Sequence, residues 1–128
     1  MVRYLKAEEI LVLHALVIDE TGGTHGVRDV NLLASIAERP KVTFAGKELH
    51  SDLFTKAAVL CEGLVNYHVF VDGNKRTAFM TLGRFMSINE YELQTMNIEV
   101  EETMVAVAEK KIDIDMLTKW IKNHSQKQ

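Results

Sequence analysis

His68, Asp72, Gly73, Asn74, Lys75 and Arg76 all fall in one run, His68-Val69-Phe70-Val71-Asp72-Gly73-Asn74-Lys75-Arg76-Thr77. A histidine at the head of such a run can take a proton from an attacking hydroxyl. A carboxylate four residues on can hold Mg²⁺ between phosphates. Gly73 allows a tight turn and close approach of a ligand to the backbone. Asn74 can cap a helix or donate its amide to a phosphate oxygen. Lys75 and Arg76 then occupy the first turn of the next helix. Cations are unfavourable at that positive end of the helix dipole. Free N–H groups at the same place attract anions. Two cations there are accounted for if a phosphate rests on them. The chemistry indicated is phosphate chemistry, with His68 and Asp72 beside an anion cradle of Gly73, Asn74, Lys75 and Arg76.

A plainer reading fits each residue singly. Asp72-Gly73-Asn74 is an ordinary turn sequence in which Asp72 or Asn74 simply caps. Lys75 and Arg76 are then solvated charges, and His68 is structural. The combination, with helix, loop and helix start in order, favours the catalytic reading.

The elements that must position this run follow from periodicity. Ala7–Glu20 reads as a helix with Ile10, Leu13, His14 and Val17 on one face. Gly22-Gly23 stops it as a left-handed cap would. Val27–Glu38 reads as a second helix with Val30, Leu33, Ala34 and Ala37 inward, ended by Arg39-Pro40. Arg28 and Asp29, at its start, read as a cap and surface pair or as neighbours of the site. Lys41–His50 has no helical period and suits a short β-like flap. Ser51 is expected to cap a third helix running to about Tyr67. A fourth helix starts near Asn74 and runs to about Asn89. Tyr91–Ile98 reads as irregular or extended, and Val100–Lys110 and Asp113–Asn123 as two last helices. Ser125–Gln128 is polar and expected to fray. The fold class is all-α, a helical bundle with a short β-like flap, in a single domain over residues 1–128 with a polar tail from about 124.

Composition narrows the partners. With 47% hydrophobic and 26% charged residues, the 128-residue chain has an ordinary globular make-up and length enough for a core. A net charge of −3 disfavours broad binding to nucleic acid or anionic membranes. No apolar run approaches the roughly 20 residues of a bilayer span. One cysteine, Cys61, excludes an internal disulfide and fits a reducing, cytoplasmic setting. His14, on an apolar face, reads as a core histidine with a bonded ring. Met80, Met86, Met96, Met104 and Met116 read as core filler. His50, Asp52 and His68 lack any recognisable metal-ligand spacing.

The run from His68 resembles the signature of the Fic/Doc family. The Fic pattern is His-Pro-Phe-x-(Asp/Glu)-Gly-Asn-Gly-Arg-x-x-Arg; the Doc pattern is His-x-Phe-x-(Asp/Asn)-(Ala/Gly)-Asn-Lys-Arg. His68, Phe70, Asp72, Gly73, Asn74, Lys75 and Arg76 meet the Doc form at every defined position. Gly26-Val27-Arg28-Asp29, Arg39-Pro40 and Asp52-Leu53-Phe54 extend the similarity over about residues 5 to 95. The resemblance implies an all-α Fic fold, His68 as general base, and Phe70 anchoring the loop. It also implies Asp72 on Mg²⁺, nucleotide phosphates on Gly73, Asn74, Lys75 and Arg76, and Lys41–His50 as a flap that positions a target segment. Two departures from Fic enzymes, Lys75 for the second glycine and Phe79 for the second arginine, place the chain on the Doc side. Doc proteins are described as kinases that present the γ-phosphate of ATP, where Fic enzymes transfer AMP. The implied target is elongation factor Tu, and the implied partner is a Phd-like antitoxin. No Ser/Thr-x-x-x-Glu-Gly/Asn inhibitory motif occurs. Ala58–Gly63 comes nearest but begins with alanine, so inhibition in trans is expected. AMP transfer and a non-catalytic module that binds only nucleotide or antitoxin are the competing readings.

Overall fold

The computed structural model describes residues Met1–Gln128. Six helices carry the fold: α1 (Ala7–Thr21), α2 (Val30–Glu38), α3 (Leu53–Asn66), α4 (Asn74–Ile88), α5 (Asn97–Ala108) and α6 (Ile114–Asn123). Two short antiparallel pairs complete it, β1 (Thr43–Phe44) with β2 (Lys47–Glu48), and β3 (Tyr91–Leu93) with β4 (Ser125–Lys127). The all-α bundle with a small β flap is therefore the observed fold. No helix is long and apolar enough to cross a membrane.

The third helix is central because its sequence is apolar on nearly every side. Ala57 through Cys61 are buried without a break, and Gly63, Leu64 and Val65 follow. A helix apolar all round must be surrounded. α3 accordingly packs against α4, α6, α5 and α2. Ala78, Leu82, Phe85 and Met86 of α4 and Leu117 and Ile121 of α6 close the core around it.

Helix starts follow their caps. Asp29, Asp52 and Asp113 accept from Leu32 N–H, Thr55 N–H and Met116 N–H, so each stabilises the opening turn of its helix. Asp52, not Ser51, is thus the cap of α3. The second helix begins at Val30 rather than Val27, because Val27 instead bridges to Phe70 as extended chain. Val30 then falls outside the buried face and is 65% exposed. Met80, Met96 and Met116 are also exposed, and only Met86 and Met104 fill the core. The tail does not fray: Ser125–Lys127 pairs with Tyr91–Leu93 in register Tyr91↔Lys127. Backbone pairing holds a polar strand that side-chain hydropathy could not reveal.

The flap is a hairpin whose turn residues Ala45 and Gly46 both have positive φ, 54° and 79°. That geometry matches the twist of the paired strands. Both its strands are exposed, and Phe44 is 77% exposed. Its roots are tied down by Lys56 of α3. The fully buried ammonium donates to Pro40 O (2.9 Å) and to Glu48 Oε1 (3.1 Å). Burial opposes its charge, but hydrogen bonding to Tyr4 and Glu48 prevails and holds the pKa above the ordinary lysine value.

Candidate functional site

The connection from α3 to α4 forms the rim of a cleft of about 700 Å³. His68, Asp72, Gly73, Asn74, Lys75 and Arg76 all line it. The size lies within the roughly 300–1,000 Å³ of small-molecule sites. Phe79 lines the same cleft, so an aromatic ring stands where a Fic enzyme would place a second guanidinium.

The loop is built from backbone pairing and one side chain. Arg28 N–H donates to Val69 O (2.7 Å), and Val71 N–H donates to Gly26 O (3.1 Å), which lays the α1–α2 connection along the loop. Asn74 then fastens the loop to itself. Its Oδ1 accepts from Phe70 N–H and its Nδ2 donates to Phe70 O, both at 3.0 Å. Phe70 is fully buried, so the loop is anchored in the core at that point. The Asn74 side chain therefore shapes the loop instead of capping α4.

His68 follows the last turn of α3 with φ of +50° and is exposed. Left-handed backbone is usual just past a helix end, but glycine normally takes it. Histidine tolerates the region better than bulkier residues, at some steric cost. Glu90 and Lys110 take the same left-handed backbone just past α4 and α5, so it is the place of His68 at the cleft, not its φ, that marks it for function.

The start of α4 differs from those of α2, α3 and α6. Gly73 is the N-cap in left-handed conformation, φ +74°, and no side chain caps the helix. The first turn carries no acid. A Cβ on Gly73 would come within 2.9 Å of Ile18 Cδ1, a movable side-chain end, so it is mainly the left-handed φ that favours glycine here. The opening turn consequently lines the cleft with no side chain capping its N–H groups, and Lys75 is exposed beside them. Arg76 is not left over in the same sense. Its guanidinium donates to the Thr21 hydroxyl in the last turn of α1. That turn is the negative end of a helix dipole, which satisfies a cation from the opposite helix start. Lys75 takes part in none of the ion pairs of the molecule.

Asp72 is held on both carboxylate oxygens. Gly73 N–H donates to Oδ1 (2.8 Å) and Thr24 N–H to Oδ2 (3.1 Å). The Thr24 amide, then the Gly73 amide, hold its pKa below the ordinary aspartate value, and Arg76 adds to this. Each oxygen keeps a further lone pair. The chain has no cluster of three or more His, Cys, Asp or Glu side chains able to hold a metal. One anionic carboxylate beside a phosphate cradle does suit Mg²⁺, which binds through one or two carboxylates plus phosphates and waters. A depressed carboxyl contributes stability above its unfolded pKa and loses it as pH falls through the folded pKa. The Thr24 and Gly73 amide resonances should thus report an Asp72 midpoint below about 3.9. A midpoint at or above that value would mean these two bonds do not form in solution.

Several cleft residues carry no signal in the sequence. Glu20 and Thr21 come from α1, and Asn97, Glu101, Met104 and Val105 from α5. Only packing of α1 and α5 against α4 brings them there. His14 is buried as expected, but its bonding partner is the loop itself, Asp72 O at 2.8 Å. No flap residue lines the cleft. Glu62, in the segment nearest to an inhibitory motif, lies in α3 with its carboxylate 3.6 Å from Arg39 Nη1 and also stays outside the cleft.

Residues 4–86 match the family model described as Fic/DOC family, a range that includes the whole loop. The chain is 34% identical over 119 residues to Toxin Doc of Mycolicibacterium smegmatis, covering 91% of this chain and 89% of that protein. It is 32% identical over 87 residues to Protein kinase doc of Escherichia phage P1, covering 68% of each.

Proposed function

Because this chain belongs to the Fic/Doc family, in its Doc toxin branch, we propose that it is the toxin of a toxin–antitoxin pair and acts as a protein kinase. Its substrates on this reading are ATP with Mg²⁺ and a hydroxyl of a translation factor, elongation factor Tu, whose phosphorylation stops protein synthesis. The observation that carries it is the start of α4. An uncapped helix end with Lys75 beside it faces a cleft that also holds His68 and Asp72.

The residues divide the work. The N–H groups of the first α4 turn, with Lys75 and Arg76, bind phosphate oxygens and offset charge as it develops. Asp72 offers a carboxylate oxygen to Mg²⁺, which supplies neutralisation of phosphate charge. His68 accepts the proton of the attacking hydroxyl. The new bond joins that oxygen to the γ-phosphorus, the bond to the β–γ bridging oxygen breaks, and ADP leaves. Lys75 fills the space that a glycine leaves open in Fic enzymes, which supports γ- over α-phosphate transfer.

A Phd-like antitoxin acting in trans completes the proposal. Exposed Val71, Met80 and Val105 on the cleft rim give apolar surface for its C-terminal segment to cover. The decisive experiment incubates the protein with elongation factor Tu and ATP labelled at the α- or the γ-phosphate. Transfer from the γ-phosphate alone is expected. Transfer from the α-phosphate alone would replace the kinase by an AMP transferase. No transfer, together with unimpaired growth on expression without antitoxin, would leave a binding module.

A further inference from the structure

One face of α1 touches the loop at three successive places. Ile18 Cδ1 lies under Gly73, the Thr21 hydroxyl accepts from Arg76, and His14 reaches Asp72. The histidine is the unexpected member. It is 3% exposed, a polar ring buried among the apolar residues of that face. Its ring stacks on that of Phe70, with centroids 3.9 Å apart and planes 5° apart. Its Nε2 lies 2.8 Å from the Asp72 carbonyl oxygen. A carbonyl only accepts, so the ring must carry a proton on Nε2. No backbone N–H reaches that carbonyl, which makes the ring its donor. The ring is buried, and a buried N–H left without an acceptor is costly, so the bond is an obligation of the fold.

We propose that His14 is the positioning residue of Asp72. The ring holds the peptide of Asp72 from below, while the Thr24 and Gly73 amides hold the carboxylate from the side. With both ends fixed, the carboxylate is held in one orientation at the cleft rim. Stacking on Phe70, the residue that Asn74 brackets, ties this hold to the rest of the loop. What the carboxylate then binds, Mg²⁺ on nucleotide phosphates, rests on the function proposed above. The positioning itself belongs to the unliganded chain.

The test compares His14→Phe, which keeps the stacking ring and loses the donor, with His14→Gln, which keeps a donor. Hydrogen exchange at the Thr24 and Gly73 amides should accelerate about tenfold in His14→Phe, the scale of one lost hydrogen bond. Core amides of α3 and α6 should keep their protection, and His14→Gln should stay near wild type. The Mg²⁺ concentration needed for half-maximal ATP binding should rise by a similar factor in His14→Phe only. Wild-type exchange at both amides in a folded His14→Phe overturns the proposal. Should that variant not fold, ¹⁵N NMR of the wild type decides: a proton on Nε2 supports the assignment and a proton on Nδ1 overturns it. Changed exchange in a protein whose wild type binds no ATP would retain the positioning role and reject the kinase reading.

Discussion

Replacing His68 with glycine should slow phosphoryl transfer by about 10²–10⁴ while leaving the protein as stable as before or more so. The two effects have separate origins. Loss of a general base lowers the transfer rate by about 10²–10⁴. At the same time, φ of +50° at this position is a conformation that glycine adopts without steric cost. Relief of that cost, offset by the greater freedom of glycine in the unfolded chain, places the stability change between zero and about 1 kcal/mol in favour of the variant. Denaturant unfolding and a γ-phosphate transfer assay on the same preparation check both. Binding of ATP should persist, because Gly73, Asn74, Lys75 and Arg76 are untouched. A variant that keeps transfer within threefold of wild type would remove His68 from the chemistry. A loss of stability greater than about 1 kcal/mol would mean that the residue holds the loop, and that its conformation carries no such cost.

Gly23→Ala should damage the same site from a position far away in sequence. Gly23 has φ of +118°, a conformation that L side chains rarely adopt. Strain of this kind costs of the order of 1–3 kcal/mol. A Cβ there would also lie 2.5 Å from Asp72 Oδ2 and 3.2 Å from Ile18 Cδ1. The end of an aspartate could ordinarily swing away. Here the Thr24 and Gly73 amides pin it, so moving it breaks the bonds that keep it anionic and aimed. The expected result is a lower unfolding temperature together with a rise of about tenfold or more in the Mg²⁺ needed for activity, since a misplaced ligand loses at least one bond's worth of affinity. Gly22→Ala is the control for backbone strain. Gly22 also has positive φ, +83°, but a Cβ there meets nothing within 4 Å. Equal Mg²⁺ requirements in the two variants would show that the contact with Asp72 does not matter.

The two glycines show how far sequence reasoning reaches. Gly22-Gly23 reads correctly as the end of the first helix, because a helix stop is a local backbone matter. That Gly23 touches Asp72 depends on how α1 packs against α4, and no spacing encodes it. His14 is similar. Its apolar neighbours mark it as a buried histidine with a bonded ring, while the identity of the partner, 58 residues away, is a product of packing. The errors have the same root. Val27 was eligible for a helix by pattern, yet the Phe70 backbone offered it a bridge. The polar tail lacked any apolar signal, yet β3 offered it a strand partner.

By itself the sequence determined the helical bundle with its small flap, and the run from His68 to Arg76 with its Doc-type lysine. Those features are written in neighbouring residues: periodicity selects helices, a glycine admits a left-handed turn, and two cations at a helix start are anomalous without an anion. Only the tertiary structure decided that Arg76 is shared with the end of α1, and that Asn74 brackets Phe70 instead of capping. It alone showed that His14, Thr24 and Gly23 meet at Asp72, and that α5 residues line the cleft. The physical reason is one of range. Backbone conformation and hydrophobic pattern are set within a few residues, whereas the aim of a carboxylate such as Asp72 is set by hydrogen bonds to whichever groups the packed helices bring beside it.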